Sequence, residues 1–351
     1  MQGRRHGVRL LLTLLVLAML QVVGPAASYA CACGAMIPSD ESARSAGELG
    51  LVQWDGKTET LDLSMVVQGE TKDAAWIMPA PKGTRVTLGS DGLFDRLTDL
   101  TKPRVEKRYN YWPSFGGDDD RSGDGAPRAG GAPGGVTVEG HSTVGPFDVT
   151  TLSGTDGSAV TTWLTAHGYP ARPDLVPAMQ AYLDQGWRLY AVKLTSRGST
   201  LRGTLSPLRL SFAATKPVYP IRLSHHARYR QSVVVYVAAP HRMELDPVTA
   251  PRSTTTDVPF ARWVDGAAVG GRGGERVFLT KLRQSVDPQD IQADYTFRST
   301  AADTQQQDVR YVDVDRSWVT WSVGVLVLLA ALIGWLVWGV RRSSRPVGNV
   351  G

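Results

Sequence analysis

Trp318–Val340 reads WVTWSVGVLVLLAALIGWLVWGV, with Arg341, Arg342 and Arg345 close behind. These 23 residues carry no charge. As a helix rising ~1.5 Å per residue they extend roughly 34 Å, enough for a hydrocarbon layer of about 30 Å. Trp318 and Trp321 then fall at one membrane interface, and Trp335 and Trp338 at the other with Arg341 and Arg342 just beyond. Arginine excess places that end in the cytoplasm. The stretch divides the chain into a folded part expected outside the cytoplasm, a membrane span at 318–340 and a basic tail at 341–351. A single-pass protein of the cell membrane is the expected location.

The other end of the chain agrees. Residues 1–30 carry Arg4, Arg5 and Arg9, an apolar run from Leu10 to Val23, the breaker Gly24-Pro25 and the small-x-small site Ser28-Tyr29-Ala30. This predicts a signal peptide cleaved after Ala30. The Arg4-Arg5 pair lacks the hydrophobic pair that follows it in a twin-arginine signal, which favours the general secretory route. The tail is too short to fold, so any signal crossing the membrane must pass through a partner.

The net charge of +5 belongs to these two segments. With their six arginines removed, residues 31–316 carry net −1. Nucleic-acid binding, which needs a basic face on the folded part, is therefore not expected. Those 286 residues are ample for a buried core.

Leu49–Trp54, the turn Asp55-Gly56, and Glu59–Gln68 with Leu61, Leu63, Met65 and Val67 in alternation predict a β-hairpin with one buried face. Ala74–Met78 predicts a third strand, stopped by Pro79 and Pro81, and Arg85–Leu88 a fourth. Ser90 is placed to cap a helix carrying Leu93, Phe94, Leu97 and Leu100. Val105–Trp112 and Val136–Val144 read as strands flanking residues 113–135, a Gly, Pro, Ser and Asp segment expected as a flexible insertion at the tip of their hairpin. Further on come a strand at Pro146–Leu152, a helix from Asp156 to His167 ended by Gly168, a second helix at Asp174–Gln185 ended by Gly186, and strands at Trp187–Leu194, Leu208–Phe212, Ile221–Leu223 and Ser232–Ala238. Thr249–Gly274 is expected to be irregular with Phe260 and Trp263 docked, and Arg276–Leu282 and Asp294–Phe297 to close the folded part. The class is α+β, a mostly antiparallel sheet with a few helices on one face, over 31–298. Residues 299–317 are expected to form a polar stalk.

Cys-Gly near the mature start, Trp54-Asp55-Gly56 with Glu59, Ala75-Trp76-Ile77-Met78-Pro79, Leu93-Phe94 to Leu100-Thr101 and Val144-Gly145-Pro146-Phe147-Asp148-Val149 resemble a bacterial family, the domain of unknown function 2330. Trp163-Leu164, Gly168-Tyr169, Gly186-Trp187, Ala191–Leu194 and Tyr219–Leu223 extend the resemblance over most of 31–298. It implies an exported or membrane-tethered protein and supplies no catalytic residues.

Cys31 and Cys33 are the chain's two cysteines. In an oxidising compartment a paired state is expected, but a C-x-C bridge closes a small strained ring and is easily reduced. A disulfide, a redox or soft-metal site, a bridge between chains, packed thiols and a lipid on Cys31 all remain open. Outside the signal, His141, His167, His225, His226 and His241 form no H-E-x-x-H or His-x-His pattern, and structural roles are expected for them. Asp118, Asp120, Ser122 and Asp124 imitate half of a calcium loop, but Ala129 stands where the bidentate glutamate belongs. Nucleophile-elbow, P-loop and dinucleotide signatures are absent from the sequence, and no cofactor is expected. Ala330 and Gly334 make a small-x-x-x-small pair that could join two spans as a homodimer. The expected function is a non-catalytic binding, scaffolding or sensing domain with an envelope protein or glycan as partner. Its alternatives are a tethered hydrolase of envelope material and thiol or metal chemistry at Cys31 and Cys33.

Overall fold

The computed structural model describes residues 30–31, 34–40, 43–112, 137–145, 147–153, 156–195, 201–227, 230–271 and 273–343. Contacts divide the chain into Met1–Lys102 with Asp124–Gln307, and Pro103–Gly123 with Asp308–Gly351.

The larger unit begins with β1 (Ala30–Cys31), β2 (Gly34–Pro38), β3 (Ala43–Trp54), β4 (Thr58–Thr71), β5 (Asp73–Ala80), β6 (Arg85–Leu88) and helix α1 (Leu93–Leu100). The chain then leaves for β7 (Arg104–Asn110) and returns with β8 (Thr137–Val144), β9 (Phe147–Ser153), α2 (Ser158–Ala166), α3 (Val176–Leu183), β10 (Arg188–Thr195), β11 (Leu201–Thr204), β12 (Leu208–Ala213) and β13 (Val218–Tyr219). β14 (Gln231–Ala239), β15 (Met243–Leu245), β16 (Asp257–Asp265), β17 (Arg276–Val286), β18 (Tyr295–Ser299) and β19 (Gln306–Gln307) follow, before β20 (Val309–Asp315) and α4 (Ser317–Ser343).

β1-β2-β5-β10-β9-β8 form an antiparallel sheet. A larger sheet runs β19-β16-β17-β14-β3-β4-β12-β6 with β11 also on β4, and is antiparallel except where β14 meets β3. Alternation explains how they meet. Leu61, Leu63, Met65 and Val67 of β4 point into one core with Trp76 and Met78 of β5 and Val192 of β10. The other face of β5, Ala75 and Ile77, packs under α2 and α3 with Trp163, Leu164, Met179 and Tyr182. On the far side of the larger sheet, Leu93, Phe94 and Leu97 of α1 cover Leu51, Tyr236 and Leu279. The class is α+β and mostly antiparallel, as the sequence implies, but its helices cover outer faces of two sheets rather than one.

Local chemistry sets the connections. Asp55 accepts the N–H groups of Lys57 and Thr58 at 2.8 and 2.7 Å, and Gly56 takes φ +99°, closing the β3–β4 turn. Asp156 accepts the Ser158 N–H at 2.8 Å at the start of α2, and Gly168 and Gly186 adopt positive φ after α2 and α3. Gly50 is required by close approach: a Cβ there would lie 2.4 Å from the Tyr219 ring.

Several expectations change. β4 is buried on both faces, because Asp62 on its second face is held by Arg209 at 2.8 Å through both oxygens and Ser64 donates to the Leu205 carbonyl at 2.7 Å. β5 continues through Pro79, which lies past the last residue paired with β2 and so sits on an open edge. Ser90 gives α1 its carbonyl, not its side chain, and the N-cap is Gly92. Ile221–Leu223 is not a strand; Arg222–His226 forms a 3-10 turn. Asp257–Asp265, within the segment expected to be irregular, is strand β16, and its bulge between Asp257 and Phe260 accommodates Pro259.

The expected hairpin between Val105–Trp112 and Val136–Val144 does not form. β8 pairs with β9, Val144 opposite Phe147 across a turn opened by Gly145 at φ +59°, a local pairing with little chain to close. β7 instead pairs in parallel with β20, from Arg104 opposite Val309 to Asn110 opposite Asp315. Residues 299–317 thus contain β19 in the larger sheet and β20 in this two-stranded ribbon. Arg108 grips Asp313 through both carboxylate oxygens at 2.8 and 3.2 Å.

α4 follows β20 after one residue. Its Ser317–Val340 portion has a mean hydropathy of 2.5 with none of it buried, so this helix is long and apolar enough to cross a membrane. The signal segment 1–29, the insertion 113–135 and tail residues 344–351 lie outside the described residues.

Candidate functional site

The structure brings together groups that are distant in the chain where α3, the turn after β13 and the start of β18 converge. Tyr182 is fully buried on α3. Its hydroxyl donates to Asp294 Oδ1, which also accepts the Arg222 backbone N–H at 2.9 Å. Asp294 Oδ2 accepts Arg222 Nη2 at 2.9 Å, and the guanidinium lies 4.8 Å over the Tyr182 ring. Burial pushes the Asp294 carboxyl upward in pKa against the opposing Arg222 charge. Burial, followed by the Asp294 charge, drives the Tyr182 phenol well above its ordinary value.

Arg222 and Asp294 of this cluster line a cleft of about 460 Å³, together with Trp187, Phe212, Lys216 and Thr296 among others. The Trp187 ring lies 5.3 Å from that of Tyr182. The cleft therefore combines an aromatic wall with two cations, Arg222 held by Asp294 and the exposed Lys216, which suits binding and orientation. Both Asp294 oxygens are occupied by donors, leaving it unsuited to proton transfer in this arrangement. A second cleft of about 280 Å³, lined by Trp54, Asp55, Glu275 and Arg276 among others, has no buried titratable group at its wall.

Two further carboxylates sit in the core beside this region. Glu48 accepts the Tyr219 hydroxyl at 2.6 Å. Glu59 is fully buried; Oε2 accepts the Val218 N–H at 2.8 Å and Oε1 has no hydrogen-bond partner among the described residues. Burial pushes the Glu59 pKa well above the usual carboxylate range, against the smaller opposing effect of the Val218 N–H.

The sequence profile described as "Uncharacterized protein conserved in bacteria (DUF2330)" matches residues 27–298. The chain belongs to the DUF2330 family. The match contains Glu59, Tyr182, Arg222 and Asp294, and ends before β20 and α4. No curated protein matches this DUF2330 chain. Among solved structures, the crystal structure of baculovirus P35 is 12% identical, covers 75% of this chain and 96% of its own, and has a TM-score of 0.32. A likeness that distant carries no functional statement.

Of the sequence-derived candidates in this DUF2330 chain, Cys31 stands in β1 opposite Gly34, while its side chain and all of Cys33 lie outside the described residues. So does the acidic run 118–124. Trp318, Trp321, Trp335 and Trp338 are exposed on α4; Arg341 and Arg342 belong to its last turn, their side chains outside the description. His167 ends α2, donating from Nδ1 to the Trp163 carbonyl at 2.7 Å and stacking on that indole at 4.1 Å. His225 Nδ1 contacts the Ile291 carbonyl at 3.1 Å, and His241 contacts Asp303 at 3.1 Å. Among the described residues no three His, Cys, Asp or Glu side chains gather to hold a metal. Sequence reading missed the Tyr182–Arg222–Asp294 cluster, whose members are separated by up to 112 positions. Glu59 did carry a signal, since it shares the parity of Leu61, Leu63, Met65 and Val67 and so faces the core.

Proposed function

We propose that this is a single-pass membrane protein that displays a non-catalytic binding domain outside the cytoplasm. The observation that carries the reading is the Ser317–Val340 portion of α4, apolar on every side, with none of it buried, and continuous with the folded chain. Residues 1–30 supply the export signal in this reading, and Arg341, Arg342 and Arg345 hold the far end in the cytoplasm. Ala330 and Gly334 lie on the exposed surface of α4, where a second copy of the span can approach them.

The cleft beside Asp294 is the binding site, and its ligand is a segment of envelope glycan. Trp187 offers an indole face for sugar C–H groups, and the exposed Gln185 and Lys216 offer polar partners at the wall. The engagement of both Asp294 oxygens supports binding over hydrolysis.

Retention of the detergent-solubilised full chain on purified envelope polysaccharide tests this. Trp187→Ala is expected to cut retention by roughly tenfold, corresponding to about 1.4 kcal/mol; because the ring also packs on Tyr182, the unfolding midpoint falls too, and retention is compared at a temperature where both proteins are folded. Equal retention of wild type and variant removes the cleft from the proposal. Release of reducing ends from the polysaccharide by the wild type favours the hydrolase instead.

A further inference from the structure

We propose that the two residues directly after β7, Tyr111 and Trp112, are a second membrane contact, a lipid-interface patch shared with Trp318 and Trp321 of α4. The inference rests on the reading of α4 as a span and adds a part of the chain more than two hundred positions away in sequence.

β7 and β20 are parallel, so both strands reach the helix end of the ribbon together, Asn110 opposite Asp315. Ser317 begins α4 immediately afterwards. The Arg316 N–H donates to the Asn110 carbonyl at 2.7 Å, and the Thr320 hydroxyl donates to the Tyr111 carbonyl. Tyr111 is thereby tied to the first turn of α4, at a position lying between Trp318 and Trp321 in the helix sequence. Trp112 is the next residue and is 74% exposed, against 66% for Trp318 and 63% for Trp321.

The occupant follows from this continuity. Whatever stands level with the first turn of a spanning helix stands in the headgroup layer. That layer receives rings with an apolar body and a polar edge, the chemistry of Tyr111 and Trp112. Arg316 is exposed at the same level, its guanidinium 4.1 Å over the Tyr109 ring, where lipid phosphates would meet it. Asp315 is turned away from that role, accepting the Ser317 N–H at 2.7 Å. With one aromatic anchor point on α4 and a second directly after β7, the ribbon cannot swing freely about the start of α4. A single-strand tether would permit that rotation.

The test uses the full chain in phosphatidylethanolamine–phosphatidylglycerol vesicles containing lipid brominated near the headgroup end of the acyl chain. Emission of Trp112 is obtained as wild type minus Trp112→Phe, and that of Trp318 as wild type minus Trp318→Phe. Both difference signals are expected to be at least halved by the brominated lipid and protected from acrylamide. Lipid quenching of Trp318 with a Trp112 signal quenched only by acrylamide overturns the patch and leaves the span standing. A Trp112 signal protected from both quenchers shows that this chain or a second copy of it covers the ring in place of lipid, and also overturns it. Absence of lipid quenching at both positions overturns the patch and the span together.

Discussion

Replacing Arg222 with alanine is expected to lower the unfolding free energy by about 3–5 kcal/mol, the cost of leaving a buried carboxylate without its cation. The Asp294 side chain is only 7% exposed and Arg222 23%, so solvent cannot take over the lost contact. The substitution also removes the guanidinium from the Tyr182 ring. Burial already raises the Asp294 pKa with Arg222 present, and without Arg222 the group must either remain charged in the core or take up a proton. Asp294→Asn in the Arg222→Ala background is therefore expected to restore more than half of the loss, because the amide has no charge to strand. Urea unfolding of the full chain in detergent at neutral pH measures all three proteins. A loss below about 1 kcal/mol, the value of an exposed ion pair, would show that the cluster is solvated.

Glu59 predicts a pH dependence of defined sign. Its folded pKa lies above the unfolded value of about 4.3, because burial disfavours the carboxylate more than the Val218 N–H supports it. The stability it contributes is complete below about pH 4.3 and is lost as pH rises through the folded pKa. The slope contributed by this one proton approaches about 1.4 kcal/mol per pH unit within that window. Glu59→Gln keeps an oxygen for the Val218 N–H and has no proton to lose. Its stability should fall less steeply than wild type as pH rises above about 4.3. Asp294, also raised, contributes the same sign in both proteins, so the difference between the curves isolates Glu59. Parallel curves would mean that Glu59 ionises freely.

The two predictions differ in how far the sequence anticipates them. Alternation through Leu61, Leu63, Met65 and Val67 identifies β4 and places Glu59 on its core face, because side-chain direction along a strand is a local property. Asp55-Gly56, Gly168 and Gly186 mark real turns and helix ends for the same reason. Asp294, Arg222 and Tyr182 have no such mark; each is an ordinary polar residue until β18, the turn after β13 and α3 are brought together. The pairing of β7 with β20 is hidden more deeply, since a parallel partner some two hundred residues away leaves no turn signal. Strand β16 escaped because Pro259 and the Thr-rich approach read locally as irregular, while a bulge absorbs them. α4 was fully legible, because length and apolarity alone decide whether a helix can span.

Display of the folded domain outside the cytoplasm is tested most directly by labelling intact cells with a membrane-impermeant amine reagent and locating the modified lysines by mass spectrometry. Lys57, Lys82 and Lys102 are exposed on the larger unit, whereas residues 1–30 and 318–351 contain no lysine at all. Labelling of those three lysines in intact cells, unchanged in pattern when the cells are opened, is the result expected. Labelling that appears only after the cells are opened would place the domain in the cytoplasm and contradict the account.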